Sequence, residues 1–306
     1  MRKIPDDLES KLNKLLATQN SLYKKGNVAD YIPALAQVPP ELMGVTVATI
    51  DGKVFTAGDY DNQFSIQSIS KVFGLVMAMN RIGEDLWKRV NMEPSGQPFN
   101  SIIQLEWEKG IPRNPVINAG AILVADVLAS HYSASKLAFL SFMRSLADDE
   151  NIYIDQDVNQ SELIHGNRNA ALAYLMKSFG NIEAEVPDVL AHYFAQCSVS
   201  MSCKQLAQSL LFLANKGIQP LSNKKICKPT HPPPITIKSY TFPSTVGDNS
   251  MNLSYFFVFL INFKRRIVPI IKKDASIRLV FLKPHASEIM ANSPVPITID
   301  HFSIIS

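Results

Sequence analysis

The stretch "GVTVATIDGKVFTAG", residues 44–58, alternates apolar and polar side chains on both sides of Asp51-Gly52. An Asp-Gly pair supplies the positive φ that a tight hairpin turn needs, so these residues predict two antiparallel strands. A lone hairpin has bare edges and is marginal in water, so the rest of the chain has to cover it. The next element follows within a few residues. In "NQFSIQSISKVFGLVMAMN", residues 62–80, a polar stretch gives way to Val72, Phe73, Leu75, Val76, Met77 and Met79, apolar almost all round. That pattern predicts a helix buried on every side, fed directly by the hairpin.

Ser68 and Lys71 stand at the start of this helix. Residues at i and i+3 share one helical face, so the lysine can reach the serine hydroxyl. A serine becomes a nucleophile when a neighbour takes its proton. A lysine can do so only where its surroundings bring its pKa down from about 10.4. The free N–H groups of the first turn could then hold an oxyanion. The spacing alone decides nothing, because Ser21/Lys24, Ser133/Lys136 and Ser222/Lys225 repeat it in charged or turn-like surroundings. On local pattern, a nucleophile with its base and a polar helix start both remain open.

With 306 residues, 46% of them hydrophobic, the chain can bury one large core or two smaller ones. A net charge of +3 without interleaved basic and aromatic residues gives no case for nucleic acid, leaving a small molecule as the expected partner. The N-terminal "MRKIPDDLESKLNKLL" lacks the apolar core of a signal peptide, and "YFFVFLINF" at 255–263 is too short to span a bilayer. A soluble cytoplasmic protein without membrane contact is expected. Cys197, Cys203 and Cys227 match no metal-ligand spacing and the six histidines form no paired motif, so neither metal nor disulfide is expected.

Leu8, Leu12, Leu15 and Leu16 sit at helical spacing within residues 5–18, while Pro33, Pro39 and Pro40 rule out a long helix in the segment that follows. From about residue 81 to 218 the pattern is mostly helical, with helices expected near 121–130, 134–148, 168–178, 184–195 and 203–215. "GIPRNPVINAGAI" places Asn114 and Asn118 just before one helix, and "QSELIHGNRNAALAYLM" places Glu162, Asn167 and Asn169 around the start of another. Such residues are ordinary helix caps, or, gathered in one pocket, a polar binding surface.

Taken in order, "NVADYIPALAQVPPELMGVTVATIDGK", "FSIQSISKVFGL", "PSGQPFNSII", "GIPRNPVINAGAI", "SELIHGNRNAALAYLM", "HYFAQCSVSMSCKQLA" and "LANKGIQPLS" resemble the serine-dependent glutaminase family of bacterial and kidney type, over about residues 5–225. The resemblance implies an α+β fold similar to serine β-lactamases and penicillin-binding proteins: an antiparallel sheet flanked by helices, with a helical subdomain. It implies hydrolysis of L-glutamine to L-glutamate and ammonia. Ser68 would be the nucleophile, its N–H one oxyanion donor, and Lys71 the general base. Substrate contacts would fall on Tyr31, Gln67, Asn118, Glu162, Asn169 and Tyr193. No metal or organic cofactor is implied, and a homodimer or homotetramer is. A catalytically inactive glutamine-binding remnant and, less favoured, a β-lactamase or D,D-peptidase-type hydrolase are the alternatives. The second is weakened by the lack of S-D-N and K-T-G.

The wording stops near residue 226. Residues 226–306 hold one glycine, Gly247, nine prolines, and nine Lys or Arg against four acids. The tyrosine of the family's M-Y-D-like segment and its K-S-G-V-G-G-G-like strand, which supplies the second oxyanion N–H, have no counterpart here. The expected division is a catalytic region at 1–225 and an anomalous tail at 226–306. The C-terminal strands and closing helix would be disrupted and the hairpin edge left poorly covered. A change of reading frame near codon 226 would account for the abrupt switch, with true divergence of the tail as the alternative. Translating the nucleotide sequence in the other two frames is expected to yield the glycine-rich strand motif, and its absence from both frames contradicts a frame change.

Overall fold

A computed structural model describes residues 7–18, 28–227, 256–262 and 270–271. In chain order the elements begin with α1 (Leu8–Thr18), α2 (Pro33–Ala36), β1 (Met43–Thr49), β2 (Val54–Gly58) and β3 (Phe64–Ser65). A 3-10 turn at Gln67–Ile69 runs into α3 (Ser70–Ile82), and a second, at Gly83–Lys88, leaves it. Then come α4 (Ile102–Trp107), α5 (Asn118–His131), α6 (Ser135–Ala147), β4 (Tyr153–Ile154), α7 (Gln156–His165), α8 (Asn167–Ser178) and α9 (Val186–Cys197). β5 (Val199–Met201), α10 (Cys203–Ser209), α11 (Leu211–Ala214), β6 (Ile218–Gln219) and β7 (Lys224–Lys225) follow, with β8 (Phe256–Asn262) and β9 (Ile270–Ile271) last.

The hairpin forms as its alternation predicts, with Gly44 opposite Gly58, Ala48 opposite Val54, and Gly52 at φ 86° in the turn. One departure is that every residue of β1 is buried. β1 lies between β2 and β8 in the sheet order β2-β1-β8-β9, and α10 packs on it while α1 packs on β2. Gly58 marks how closely α1 approaches: a Cβ there would lie 2.6 Å from Leu16 Cδ1 and 2.3 Å from the Met43 carbonyl.

The expectation of a poorly covered hairpin edge is corrected. β8 pairs antiparallel with β1 from Met43↔Asn262 to Thr49↔Phe256, so residues of the unusual tail occupy that edge. The physical reason is general: the backbone groups of an open edge accept any extended segment of matching length. Apart from residues 226–227, 256–262 and 270–271, the expected tail, including its Pro-Pro-Pro stretch, lies outside the described residues.

The helical middle is built around α3, α5 and α9, which pack on one another. Phe73, Leu75, Val76 and Ala78 of α3 are buried, as are the residues of α5 from Ala119 to Leu128 and most of α9. The single helix expected at 203–215 is two, broken at Leu210. Ser202 and Gln205 form a reciprocal capping box that starts the first. Among the described residues, no helix is long and apolar enough to cross a membrane.

One buried charge ties α5 to the approach of α9. Asp126, wholly buried, accepts from Arg89, from Glu183 N at 3.1 Å and from Ala184 N at 2.8 Å. Arg89 also donates to the Asn181 carbonyl at 2.8 Å. Removing the Asp126 carboxylate leaves the Glu183 and Ala184 N–H groups without this acceptor and Arg89 with only the exposed Glu183 carboxylate at 3.1 Å, at a cost of about 1–3 kcal/mol. Asp126→Ala is therefore expected to lower unfolding free energy by that order in urea titrations, and a change within about 0.5 kcal/mol, the range of ordinary surface substitutions, contradicts this role.

Candidate active site

Strand β3 delivers the serine. Phe64 and Ser65 pair with Met201 and Ser200 of β5, and Ile66 N donates to the Val199 carbonyl at 2.9 Å. The chain then turns sharply: Gln67 has φ +47°, a left-handed backbone that a side chain rarely adopts without support. The support is visible, since Gln67 Oε1 accepts from the Tyr31 hydroxyl at 3.0 Å and its Nε2 donates to Ser65 Oγ at 3.1 Å. Ser68 is the next residue, half-buried within the 3-10 turn. The turn's ladder opens with Ile69 N on the Ile66 carbonyl, so the Ser68 N–H precedes it and is not consumed by the ladder.

Lys71 lies one turn on, in the first turn of α3, only 5% exposed. Lys71 follows Ser68 by three residues, a spacing that puts both on one helical face. The lysine Nζ donates to Asn118 Oδ1 at 2.8 Å and to the Val116 carbonyl at 3.1 Å. Asn118 is the first residue of α5, and its Nδ2 donates to Asn169 Oδ1 at 3.1 Å, in the first turn of α8. Helix starts on α3, α5 and α8 thus converge on one polar cluster.

Glu162 and Tyr193 form the back of the site, both buried. Glu162 stands inside α7, near its end, so the expectation that it opens a helix is corrected: Asp155 caps α7 by accepting from Val158 N at 3.0 Å, and Asn167 opens the next helix. Gly166, between them, lets α7 close against α9, because a Cβ there would meet Phe194 Cζ at 2.2 Å. Beneath the cluster, the Ser70 hydroxyl approaches Cys197 Sγ at 3.9 Å. Burial pushes the Cys197 thiol up to about 12, helped by the charge of Glu162 and opposed by that of Lys71. A thiol so held stays protonated, which removes Cys197 as a competing nucleophile.

Gln67 adjoins Ser68 in the chain and Lys71 follows three residues on; Asn118 is bonded to Lys71, Asn169 to Asn118, and Tyr31 to Gln67. Glu162, Lys71 and Tyr193 all act on the Cys197 thiol, which puts them in one neighbourhood. His165 is exposed at the end of α7. Asn114, read as a possible cap or as part of a polar binding surface, is buried in the loop whose Val116 carbonyl meets Lys71. No group of three or more His, Cys, Asp or Glu able to hold a metal occurs among the described residues.

On α9, next to Tyr193, burial pushes the His192 imidazole down to about 4, with the Gln196 side chain opposing and the Lys136 charge adding to it. The folded chain keeps His192 neutral while the unfolded chain protonates it near the ordinary value of 6.5. Stability conferred by the neutral ring is full above pH 6.5 and is lost as pH falls toward 4, by about 3 kcal/mol across the window. Urea titrations at pH 7 and pH 4.5 are expected to show that loss, and His192→Gln to shrink it. An equal loss in the variant assigns the acid sensitivity elsewhere.

Comparison with known proteins follows the same outline. The family model described as Glutaminase matches residues 26–237. A glutaminase of Aliivibrio salmonicida is 54% identical over 219 residues, 71% of this chain and 72% of that one. A glutaminase of Pseudomonas savastanoi pv. phaseolicola is 46% identical over 248 residues, covering 81% and 82%. Among solved structures, the probable glutaminase ybaS superposes with a TM-score of 0.70 at 33% identity, over 76% of this chain and 75% of that one. A probable glutaminase from Bacillus subtilis complexed with 6-diazo-5-oxo-L-norleucine gives 0.64 at 31% identity, over 75% and 71%.

Proposed function

The chain belongs to the glutaminase family, and on that premise we propose that it hydrolyses the side-chain amide of L-glutamine at Ser68, with Lys71 as general base. The observation that carries this reading is the buried Lys71 amine, tied to Asn118 and Val116 one turn from Ser68. A neutral amine has two N–H donors and one lone pair. In that neutral form the lone pair can take the serine proton.

Ser68 Oγ attacks the amide carbon as Lys71 takes its proton, giving a tetrahedral oxyanion that the Ser68 N–H helps to hold. Lys71 returns the proton to the leaving nitrogen, ammonia departs, and a glutamyl ester remains on Ser68. Water, deprotonated in turn by Lys71, releases glutamate. The substrate is a zwitterion, costly to bury without partners. Glu162 pairs with its ammonium group, while Tyr31, Gln67, Asn118, Asn169 and Tyr193 hold its carboxylate and amide. The frame is the β-lactamase-like one, with residues 1–225 as the catalytic region and 226–306 as a tail of different character. Self-association as a homodimer or homotetramer belongs to the same reading.

A second reading rests on one feature of the sequence, the absence of the glycine-rich strand motif. Loss of one oxyanion donor typically costs about a hundred- to a thousandfold in rate, so the chain could bind glutamine and turn it over slowly or not at all. Ammonia release from L-glutamine by the purified chain, with Ser68→Ala alongside, separates the two. The expected result is release that falls to background in the variant. Binding of glutamine without release supports the binding remnant, and release that survives in Ser68→Ala contradicts Ser68 as nucleophile.

A further inference from the structure

Asn114 touches neither Ser68 nor the residues proposed to hold substrate, yet it is 5% exposed and its side chain is bonded at both ends. Its Oδ1 accepts from Val116 N and from Ile117 N, each at 3.1 Å, and its Nδ2 donates to the Glu93 carbonyl at 2.8 Å. Residues 91–93 and 112–113 already run side by side, with Asn91 N on the Pro112 carbonyl at 2.8 Å and Glu93 N on the Arg113 carbonyl at 2.7 Å. Asn114 extends that pairing by one side-chain bond. The loop also lies flush on α5: a Cβ on Gly120 would come within 1.9 Å of the Asn114 carbonyl oxygen.

The peptide unit between Val116 and Ile117 links this anchor to the site. Its N–H belongs to Ile117 and donates to Asn114; its C=O belongs to Val116 and accepts from Lys71 Nζ. A trans peptide is planar, with N–H and C=O pointing in opposite directions. Fixing the N–H therefore aims the C=O. A hydrogen bond at one end of an amide also strengthens the acceptor at the other.

Resting on the Ser68/Lys71 reading above, we infer that Asn114 is a positioning residue for the reaction. It locks the Val116–Ile117 peptide so that the Val116 carbonyl holds the Lys71 amine toward Ser68. Without Asn114 the Val116 carbonyl can turn away, and the lysine loses one of the acceptors that aim its amine. A loss of alignment of this kind reduces rate by about a hundredfold while leaving substrate contacts in place.

The test uses covalent labelling by 6-diazo-5-oxo-L-norleucine, a glutamine analogue with a diazomethyl ketone in place of the amide. Ser68 Oγ forms a new C–O bond to the terminal carbon and dinitrogen leaves with the electrons of the C–N bond. The proton lost by Ser68 passes through Lys71 to that same carbon, so the label needs the nucleophile and its base. The maximal labelling rate and the half-saturating concentration are read from intact mass against time. Asn114→Ala is expected to lower the maximal rate about a hundredfold at an unchanged half-saturating concentration. Asn114→Asp keeps an acceptor for both N–H groups and is expected to recover most of the rate. Ile117→Pro deletes the relaying N–H, along with a buried isoleucine side chain, at a φ of −74° that proline accepts, and is expected to reproduce the loss in a chain whose unfolding transition is checked alongside.

Labelling of Ile117→Pro at the rate of the unaltered chain overturns the inference. So does a defect in Asn114→Ala confined to the half-saturating concentration, or a loss in Asn114→Asp as deep as in the other two variants. Unaltered chain that takes no label on Ser68 overturns the nucleophile reading first and this inference with it.

Discussion

Lys71 is an amine carried into the interior with Asn118 Oδ1 at 2.8 Å and the Val116 carbonyl at 3.1 Å, and the surrounding helices are arranged around that fact. Burying an amine without acceptors costs several kcal/mol, so the site cannot be built from α3 alone. It needs the start of α5 for Asn118, the loop before α5 for Val116, and the start of α8 to hold Asn118 through Asn169. Three helix beginnings, separated by long stretches of chain, have to meet. The packing of α3, α5 and α9 and the Asp126 anchor make that meeting a property of the fold rather than of a loop.

Ser68 arrives by a different route. It follows a strand bonded to β5 and a strained Gln67, whose left-handed backbone is held by Tyr31 and Ser65. Ser68 and Lys71 therefore sit on one continuous segment but are fixed by separate parts of the molecule. The strand β8 adds a third contribution, filling the edge of β1 with residues from beyond the point where family wording ends. Backbone pairing at that edge asks for extension and length, not for a particular motif. Oxyanion chemistry asks for more, since a second donor has to stand at one defined point.

Much of this was legible in the sequence for physical reasons that can be named. Asp51-Gly52 fixed the hairpin, and the unbroken apolar run from Val72 to Met79 marked α3 as buried. The alternation was misleading for β1, because a strand with helices and another strand around it is buried on both faces whatever its pattern. Strands β3, β4 and β5 are two or three residues long, too short for any periodicity to register. Glu162 looked like a helix start because Gly166 and Asn167 follow it, while the true cap, Asp155, lies seven residues earlier. Asn114 was visible as a possible cap or as part of a polar surface. Its bond to Ile117 N is of that kind, and what the sequence could not display is that the same peptide's carbonyl faces Lys71.

The central claim is that Ser68 carries the glutamyl group between the two halves of the reaction. Mixing the purified chain with L-glutamine, quenching in acid within the first turnover and mapping the modified peptide by mass spectrometry tests it directly. The account predicts one glutamyl group in ester linkage on the peptide holding Ser68, removed by mild base. Ammonia released with no adduct at any time point, or an adduct on another residue, would contradict it.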